Sequence, residues 1–403
     1  MTDMASLPCS VPSGWAIKKL KHVASLQSGD TISPDAITDA GSFPVFGGNG
    51  FRGFTDSFTH EGDYVLIGRQ GALCGNINYA SGQFWASEHA VVADPQGRAN
   101  VRWLGELLRS MNLNQYSQSA AQPGLAVDMI ANLSVPVPPP SEQAAIARFL
   151  ADRTGSLDGL IEAKERLLTL LLEKRRAMIA QSVTHGLDPD VPLRDSGVPW
   201  LGQIPAHWRT ERARWLFRER DERSVMGDEE MLTVSHLTGV TPRSEKEVNM
   251  FEAETTEGYK LASAGDLVIN TLWAWMGAMG VARVPGIVSP AYNVYEPAPD
   301  LDSGYIDALV RIPVFAQEVT RYSKGVWSSR LRLYPEGFFQ VTLPVPPREE
   351  QARIITYIQE GTKKLDELSH VTAKTIDLLK ERRAALISAA VTGQLDVGGA
   401  IAS

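Results

Sequence analysis

The sequence predicts an α+β protein: two mixed α/β heads separated by two long, antiparallel paired helices, related by an internal pseudo-two-fold repeat. Three matches within the chain predict this plan. LSVPVPPPSEQAAIARFL (133–150) aligns with VTLPVPPREEQARIITYI (341–358) at a constant offset of 208. The copies run on to SVTHGLD (182–188) and AVTGQLD (390–396), again 208 apart. The fronts correspond as VPSGWAIKKLKHV (11–23) and IPAHWRTERARWL (204–216), offset 193, and EGDYVLIG (61–68) matches AGDLVINT (264–271), offset 203. Internal repetition of this extent sets the architecture before any local reading. It divides the chain into a first head (1–140), a first spacer helix (141–185), a linker (186–203), a second head (204–347), a second spacer helix (348–396) and a short tail (397–403).

The first head contains short β-rich pieces, DYVLIG, NINYA and FWASEHAVV, interrupted by turn residues and followed by a helical stretch near 101–114. Its FPVFGGNGFRGF (43–54) spells both F-x-G-x-G and G-x-G-x-x-G. A dinucleotide loop needs a helix opening on its last glycine and an acidic ribose partner about 20 residues on. FTDSFTHEGD comes next instead, so a hairpin-like loop is expected, its glycines permitting close backbone approach. The second head repeats the mixed pattern with DLVIN, GVARV and NVYEP, then a helical stretch at 304–322.

Each spacer is preceded by a proline-rich stop, Pro136 to Pro140 or Pro344 to Pro347, which forces an extended approach. Ser141 is then the expected N-cap. Leu150, Leu157, Lys164, Leu171 and Met178 fall seven apart, as do Ile358, Leu365, Thr372, Leu379 and Leu386. With Leu160, Leu167 and Leu368 between them, this is a heptad seam for helix pairing, with one polar rung in each copy. Gly155 and Gly159 predict a kink near 153–156. About 40 residues at 1.5 Å each make rods of roughly 60 Å.

A chain of 403 residues holds two or three domains. No apolar run reaches the roughly 18–20 residues of a membrane span, and MTDMASLPCS has no signal-peptide pattern. Cys9 and Cys74 cannot build a disulfide framework, which suits a cytoplasmic protein. Seven scattered histidines without a Cys/His cluster predict no metal site. The net charge of −8 disfavours a chain that grips nucleic acid alone. Residues 1–140 carry 8 basic and 11 acidic groups, and 204–347 carry 15 and 19, so any positive surface is local or supplied by a partner. P-loop, G-x-S-x-G and H-E-x-x-H motifs are missing, and Ser289-Pro290-Ala291-Tyr292 lacks the second proline of an amino-methyltransferase motif. No catalytic constellation emerges. Two other readings stay open: a self-contained S-adenosylmethionine-dependent methyltransferase using the glycines at 46–50, and a coiled-coil scaffold whose heads bind proteins.

The duplicated PVPPPSEQ (136–143) and PVPPREEQ (344–351), the helix exits EKRRAMIAQSVTHG (173–186) and KERRAALISAAVTG (380–393), and the lead SGVPWLGQIPAHW (196–208) resemble the specificity subunit of type I restriction-modification systems. The resemblance covers almost the whole chain. It implies a non-catalytic protein of the bacterial or archaeal cytoplasm whose heads each read half of a split, asymmetric double-stranded DNA target. It implies that the helices space the heads and dock two modification (methyltransferase) subunits, and that restriction motor-nuclease subunits can join. S-adenosylmethionine would then sit on those partners, with no cofactor on this chain.

Side chains at loop tips suit base readout, since Arg forks onto guanine and Asn or Gln onto adenine. In the first head these are Asn49, Arg52, Arg69 and Gln70, with His89 weighed against a packed core histidine. In the second they are His236, Arg243, Asn270, Lys324 and Arg330, while Trp273 and Trp275 are expected in the core. Both heads begin with Trp and a basic cluster, Lys18, Lys19 and Lys21 or Arg209, Arg212 and Arg214, suited to phosphate or partner contact. For partner binding the exposed flanks of the rods are favoured, at Glu142, Gln143, Arg175, Glu350, Gln351 and Arg382, with an ion pair inside the bundle as the other reading of the arginines.

Overall fold

The computed structural model describes residues 11–71, 73–95, 99–117, 124–245, 255–325 and 331–397. It resolves into two compact units, residues Met1–Arg166 with Ala373–Ser403, and Leu167–Thr372. Each unit holds one head and part of both long helices.

In the first unit, strands β1 (Ala16–Lys19) and β8 (Ser134–Val137) form a short antiparallel ribbon. A six-stranded sheet has the order β2 (Ala24–Ser28), β7 (Ala90–Pro95), β5 (His60–Gly68), β6 (Ile77–Ala86), β3 (Phe43–Gly47), β4 (Gly50–Thr55). Its pairs are antiparallel except β3 with β6. Helix Val101–Ser110 covers one face, burying Trp103, Leu104, Leu107 and Leu108 against Val65, Ile67, Val91 and Ala93. Asn100 caps it, its side chain accepting from Trp103 N at 3.0 Å. Ile146, Phe149 and Leu150 of the first long helix and Ile387, Ala390 and Val391 of the second complete this core.

The second unit repeats the scheme. Its first strands are β9 (Leu193–Asp195) and β10 (Gln203–Pro205), paired with each other. β11 (Arg209–Arg212) pairs with β20 (Thr342–Val345) in the register of β1 with β8. The four-stranded sheet β12 (Phe217–Arg220), β19 (Tyr292–Pro297), β16 (Leu267–Asn270), β17 (Met279–Val281) matches β2-β7-β5-β6. Where the first head adds β3 and β4, the second adds the ribbons β13 (Leu232–Ser235) with β14 (Gly239–Pro242) and β15 (Lys260–Ala262) with β18 (Gly286–Val288). Helix Ser303–Val310, capped by Asp302, buries Tyr305, Ile306 and Leu309 against Leu267, Ile269 and Tyr295.

The long helices run Pro140–His185 and Arg348–Val391. The first starts one residue before the expected cap: Pro140 occupies the first turn, where its missing N–H costs nothing, and Ser141 lies inside. No break occurs at 153–156, because Gly155 and Gly159 face open space and cost only helix propensity. Within each unit the helices are antiparallel. Arg383 forks onto Asp158 at 2.7 and 3.2 Å and Lys380 meets Glu165 at 3.1 Å in the first unit. Arg175 meets Asp366 at 3.3 Å in the second, where Gly361 lies against Met178.

The seam residues lie on the inner faces: Leu150, Leu171 and Ile358 buried, Leu157, Met178, Leu365, Leu379 and Leu386 half-buried. Leu160 and Leu368, expected between them, are 45% and 46% exposed, and Ile161 and Ser369 fill those rungs instead. A one-step error in a heptad turns a side chain by about 100°, enough to take it out of the seam. Lys164 is half-buried and Thr372 fully buried at the polar rung of each copy.

Candidate nucleic-acid interface

The first head gathers its polar candidates on one rim. β5 ends at Gly68, and the turn to β6 carries Arg69 and Gln70. The Arg69 N–H donates to His89 O at 2.9 Å, tying this turn to the one between β6 and β7. His89 Nδ1 lies 3.0 Å from Gln70 Oε1 and its Nε2 3.3 Å from Glu88 Oε1, so His89 stands half-exposed in a polar chain, outside the core. Arg69 Nη1 donates to Ser28 Oγ at 3.1 Å, which braces the guanidinium along the rim.

FPVFGGNGFRGF forms the β3–β4 hairpin, with Gly48-Asn49 at its tip. This tip lies backbone-close to the Arg69 turn. A Cβ on Gly68 would lie 2.3 Å from Gly48 O, and one on Gly48 would lie 2.9 Å from His89 O. Gly50, just after the tip, has a φ of +94°, the left-handed region that the glycine of a G1 bulge occupies at the end of a hairpin turn. Asn49 and Arg52 are exposed, and Asn49 Oδ1 accepts from Asn76 Nδ2 at 3.3 Å. Asn49, Arg69, Gln70 and His89 therefore stand on three adjoining turns, with Arg52 beside them on β4. Beneath them, among the described residues, Asn78 Nδ2, Ser87 Oγ and Glu88 Oε2 are buried without a hydrogen-bond partner. The rim offers donors and acceptors in forked geometry, the chemistry that distinguishes base edges.

The second head does not assemble its candidates this way. Asn270 is 6% exposed: its Nδ2 donates to the Tyr292 hydroxyl at 3.0 Å and its Oδ1 accepts from Leu272 N at 3.3 Å. Its expected place on the surface is thus corrected, because the last residue of the buried strand β16 still points inward. Burial raises the Tyr292 phenol above its usual range, which keeps it protonated beside the amide. His236 sits exposed at the β13–β14 tip, and Arg243 comes after the other end of β14, about 13 Å away at 3.3 Å per residue. Lys324 is exposed and pairs backbone-to-backbone with Arg332 at 2.9 Å in both directions. Arg330, like Trp327, lies outside the described residues.

Trp273 and Trp275 reverse the expectation of a core position. Trp273 is 51% exposed and stacks on Trp275 with centroids 6.2 Å apart. Sequence reading also passed over Met276 and Arg332, both exposed; the return of residue 332 to the β16–β17 turn, through Leu333 N to Thr271 O at 3.1 Å, has no local signal.

The basic clusters differ between heads. Lys18 and Lys19 are exposed on β1 and make no ion pair among the described residues, while Lys21 donates to Asn132 Oδ1 at 3.0 Å. Arg209 is ion-paired to Asp300, and Arg212 and Arg214 are exposed, the latter beside Trp215.

Five of the six flank positions are engaged within the chain. Gln143 is 3% exposed, accepting from Asn100 N at 2.8 Å and donating to Pro138 O at 2.9 Å. Gln351 is fully buried, accepting from Asp302 N at 2.7 Å and donating to Pro346 O at 2.9 Å. Both satisfy the backbone N–H that a helix N-cap leaves over, so they latch a long helix to its head and are not partner-facing. Glu142 accepts from Trp15 Nε1 at 2.9 Å, and Glu350 Oε2 lies 2.7 Å from His207 Nε2. Arg175 is held by Asp366 of the other long helix in a partly exposed pair on the bundle surface. Its repeat mate at 208 is Arg383, while Arg382 points to solvent.

Residues 12–169 match the family of type I restriction modification DNA specificity domains. The chain is 41% identical over 154 residues to the type I restriction enzyme EcoprrI specificity subunit of Escherichia coli. This match spans 37% of the chain and 38% of that relative. A second relative, from Haemophilus influenzae, is 30% identical over 114 residues, 30% of its length. The chain thus spans little more than a third of the curated relatives it matches. The fold extends further. A chain solved in work on complex assembly and conformational transition of the type I R-M system matches with a TM-score of 0.71 at 17% identity, covering 96% of this chain and 100% of that one. The HsdS subunit from Thermoanaerobacter tengcongensis matches with a TM-score of 0.55, 17% identity and coverage of 96% and 99%. Among the described residues no helix is long and apolar enough to cross a membrane. Residues 12–169 thus resemble a type I restriction modification DNA specificity domain, and the chain as a whole shares the fold of the solved chains it matches.

Proposed function

We propose that this chain is the DNA sequence-specificity subunit of a type I restriction-modification complex, a non-catalytic protein of the cytoplasm. Each head reads one half of a split duplex target, and the unlike heads make that target asymmetric. The long helices set the spacing and dock two methyltransferase subunits, which carry the S-adenosylmethionine and modify the DNA. Restriction motor-nuclease subunits can join this assembly. One observation supports this above others: Asn49, Arg52, Arg69, Gln70 and His89 converge on one exposed rim of a matched specificity domain. The acidic balance fits a reader of bases whose partners supply much of the phosphate clamp.

A self-contained methyltransferase is less well supported, because the glycine stretch is taken up by close packing against Arg52, His89 and Asn78. The test is to map methylated adenines in cells with and without this chain, alongside duplex binding by the assembled complex. The expected result is one split motif that disappears with the chain. Methylation or binding without sequence preference would sink the proposal, as would stoichiometric S-adenosylmethionine binding by the isolated chain in calorimetry.

A further inference from the structure

The turns after β5 and β16 occupy the same place in the two heads. Gly68 N–H donates to Asn76 O at 2.8 Å, and Asn270 N–H donates to Ala278 O at 3.0 Å. Leu125 N donates to Arg69 O at 2.9 Å, and its repeat mate Leu333 N donates to Thr271 O at 3.1 Å. The first turn displays Arg69 and Gln70. The second turns its polar groups inward. Asn270 is spent on Tyr292 and Leu272 N, Thr271 Oγ1 donates to Ala291 O at 2.8 Å, and Trp275 Nε1 donates to Leu272 O at 3.1 Å. What remains outward is apolar: Trp273, 51% exposed, its stacking partner Trp275, and Met276, 38% exposed. A large apolar patch held on a short turn calls for an occupant.

The surroundings select it. Arg332 and Lys324, both exposed, pair across a strand bridge that Leu333 fastens to this same turn. Packed against the turn is helix Pro313–Arg321, whose one acid, Glu318, is 3% exposed and paired with Arg321 at 2.8 Å. An aromatic-thioether surface flanked by two exposed cations suits a polyanion with an apolar feature beside its charges. In the major groove of duplex DNA that feature is the thymine C5 methyl, the one apolar group on a base edge.

We infer that the second head discriminates by apolar contact of Trp273 and Met276 with thymine methyl groups, with Lys324 and Arg332 on the adjoining phosphates. The two heads then read DNA in different chemical terms, the first by hydrogen bonds and the second by methyl recognition. This rests on the proposed specificity function.

Replacing thymine by deoxyuridine removes the methyl and leaves base pairing intact. The second head's half-site is the half that changes when residues 204–347 are exchanged for another head. With the assembled complex, each deoxyuridine at a contacted position there weakens binding about 4-fold, the factor for ~0.8 kcal/mol per buried methyl group. The same exchange in the other half-site has a smaller effect. Trp273→Ala abolishes the thymine preference and Trp273→Phe retains it; the side chain is half outside the fold, and the wild-type measurement needs no variant. Equal binding of the thymine and deoxyuridine duplexes overturns the inference, as does a second half-site lacking any A·T pair. A Trp273→Ala variant that keeps the preference but assembles poorly with methyltransferase subunits would put a protein on the patch instead. A wild-type complex without any sequence preference removes the proposed function as well, whereas a sequence-specific but methyl-blind complex removes this inference alone.

Discussion

Arg175 reaches Asp366 and Arg383 reaches Asp158, two ion pairs whose arginines and aspartates both stand 208 apart. Gln143 and Gln351 repeat each other in the same way, each taking the spare N–H of a helix cap. The turns after β5 and β16 agree in length and backbone hydrogen bonds, yet one presents Arg69 and Gln70 and the other Trp273 and Met276. The contrast separates two tasks. The Arg–Asp clasps and the Gln latches are duplicated with their partners, whereas the Lys380–Glu165 pair has no counterpart. Side chains on the rims find their partners on the same rim, Arg69 with Ser28, Gln70 with His89 and Trp273 with Trp275, and so can differ while the scaffold stays the same.

The largest effects should fall on the rims. Removing Arg69 and Gln70 together by alanine substitution should weaken binding of the first half-site roughly 5- to 150-fold for each lost bidentate contact, about 1–3 kcal/mol apiece. Preference in the second half-site should survive, and competition binding with singly mutated duplexes checks both statements. Loss of preference in both halves would break the contrast between scaffold and rim. Next come the latches. Gln143→Ala and Gln351→Ala each strand a buried N–H and should cost about 1–3 kcal/mol. Denaturant unfolding should show two similar losses; a large cost at one position alone would mean that the copies no longer share the task. Smallest are the clasps. Arg175→Ala and Arg383→Ala remove partly exposed pairs worth about 0.2–1 kcal/mol, with the forked Arg383 pair at the upper end. Salt titration of the unfolding midpoint should reduce both differences.

The repeat and its helices were legible because they are written in identity and heptad spacing, which survive without knowledge of contacts. The hairpin nature of FPVFGGNGFRGF was legible because the next ten residues, FTDSFTHEGD, are turn formers without an apolar helical stripe. Asn270 was not. The motif match at 203 sets it against Ile67 and the turn hydrogen bonds, aligned at 202, set it against Gly68, so its nearness to the exposed turn masked its place as the last residue of a buried strand. Gln143 and Gln351 looked like solvent-facing residues of a polar helix start, since nothing local reveals that another helix's cap lies above them. Trp273 looked like core because bulk and hydrophobicity favour burial, and its outward stack depends on Trp275 having already spent its N–H on the turn. Polar residues were misplaced where a distant backbone group claimed them. The grouping of the first head's rim was legible at two of its turns, which glycines flank, and not at Glu88-His89, which lies between Ala86 and Ala90.

The first core draws on the last part of the chain. Ile387, Ala390, Val391 and Val397 pack among Trp15, Trp103 and Leu104, while the second unit is a single continuous stretch, Leu167–Thr372. During synthesis the earlier head therefore waits for the later helix, and the later head is the first able to close. Nascent chains stalled once residue 372 has emerged should resist protease across the second unit and remain cleavable in the first. The head translated first would be the one finished last.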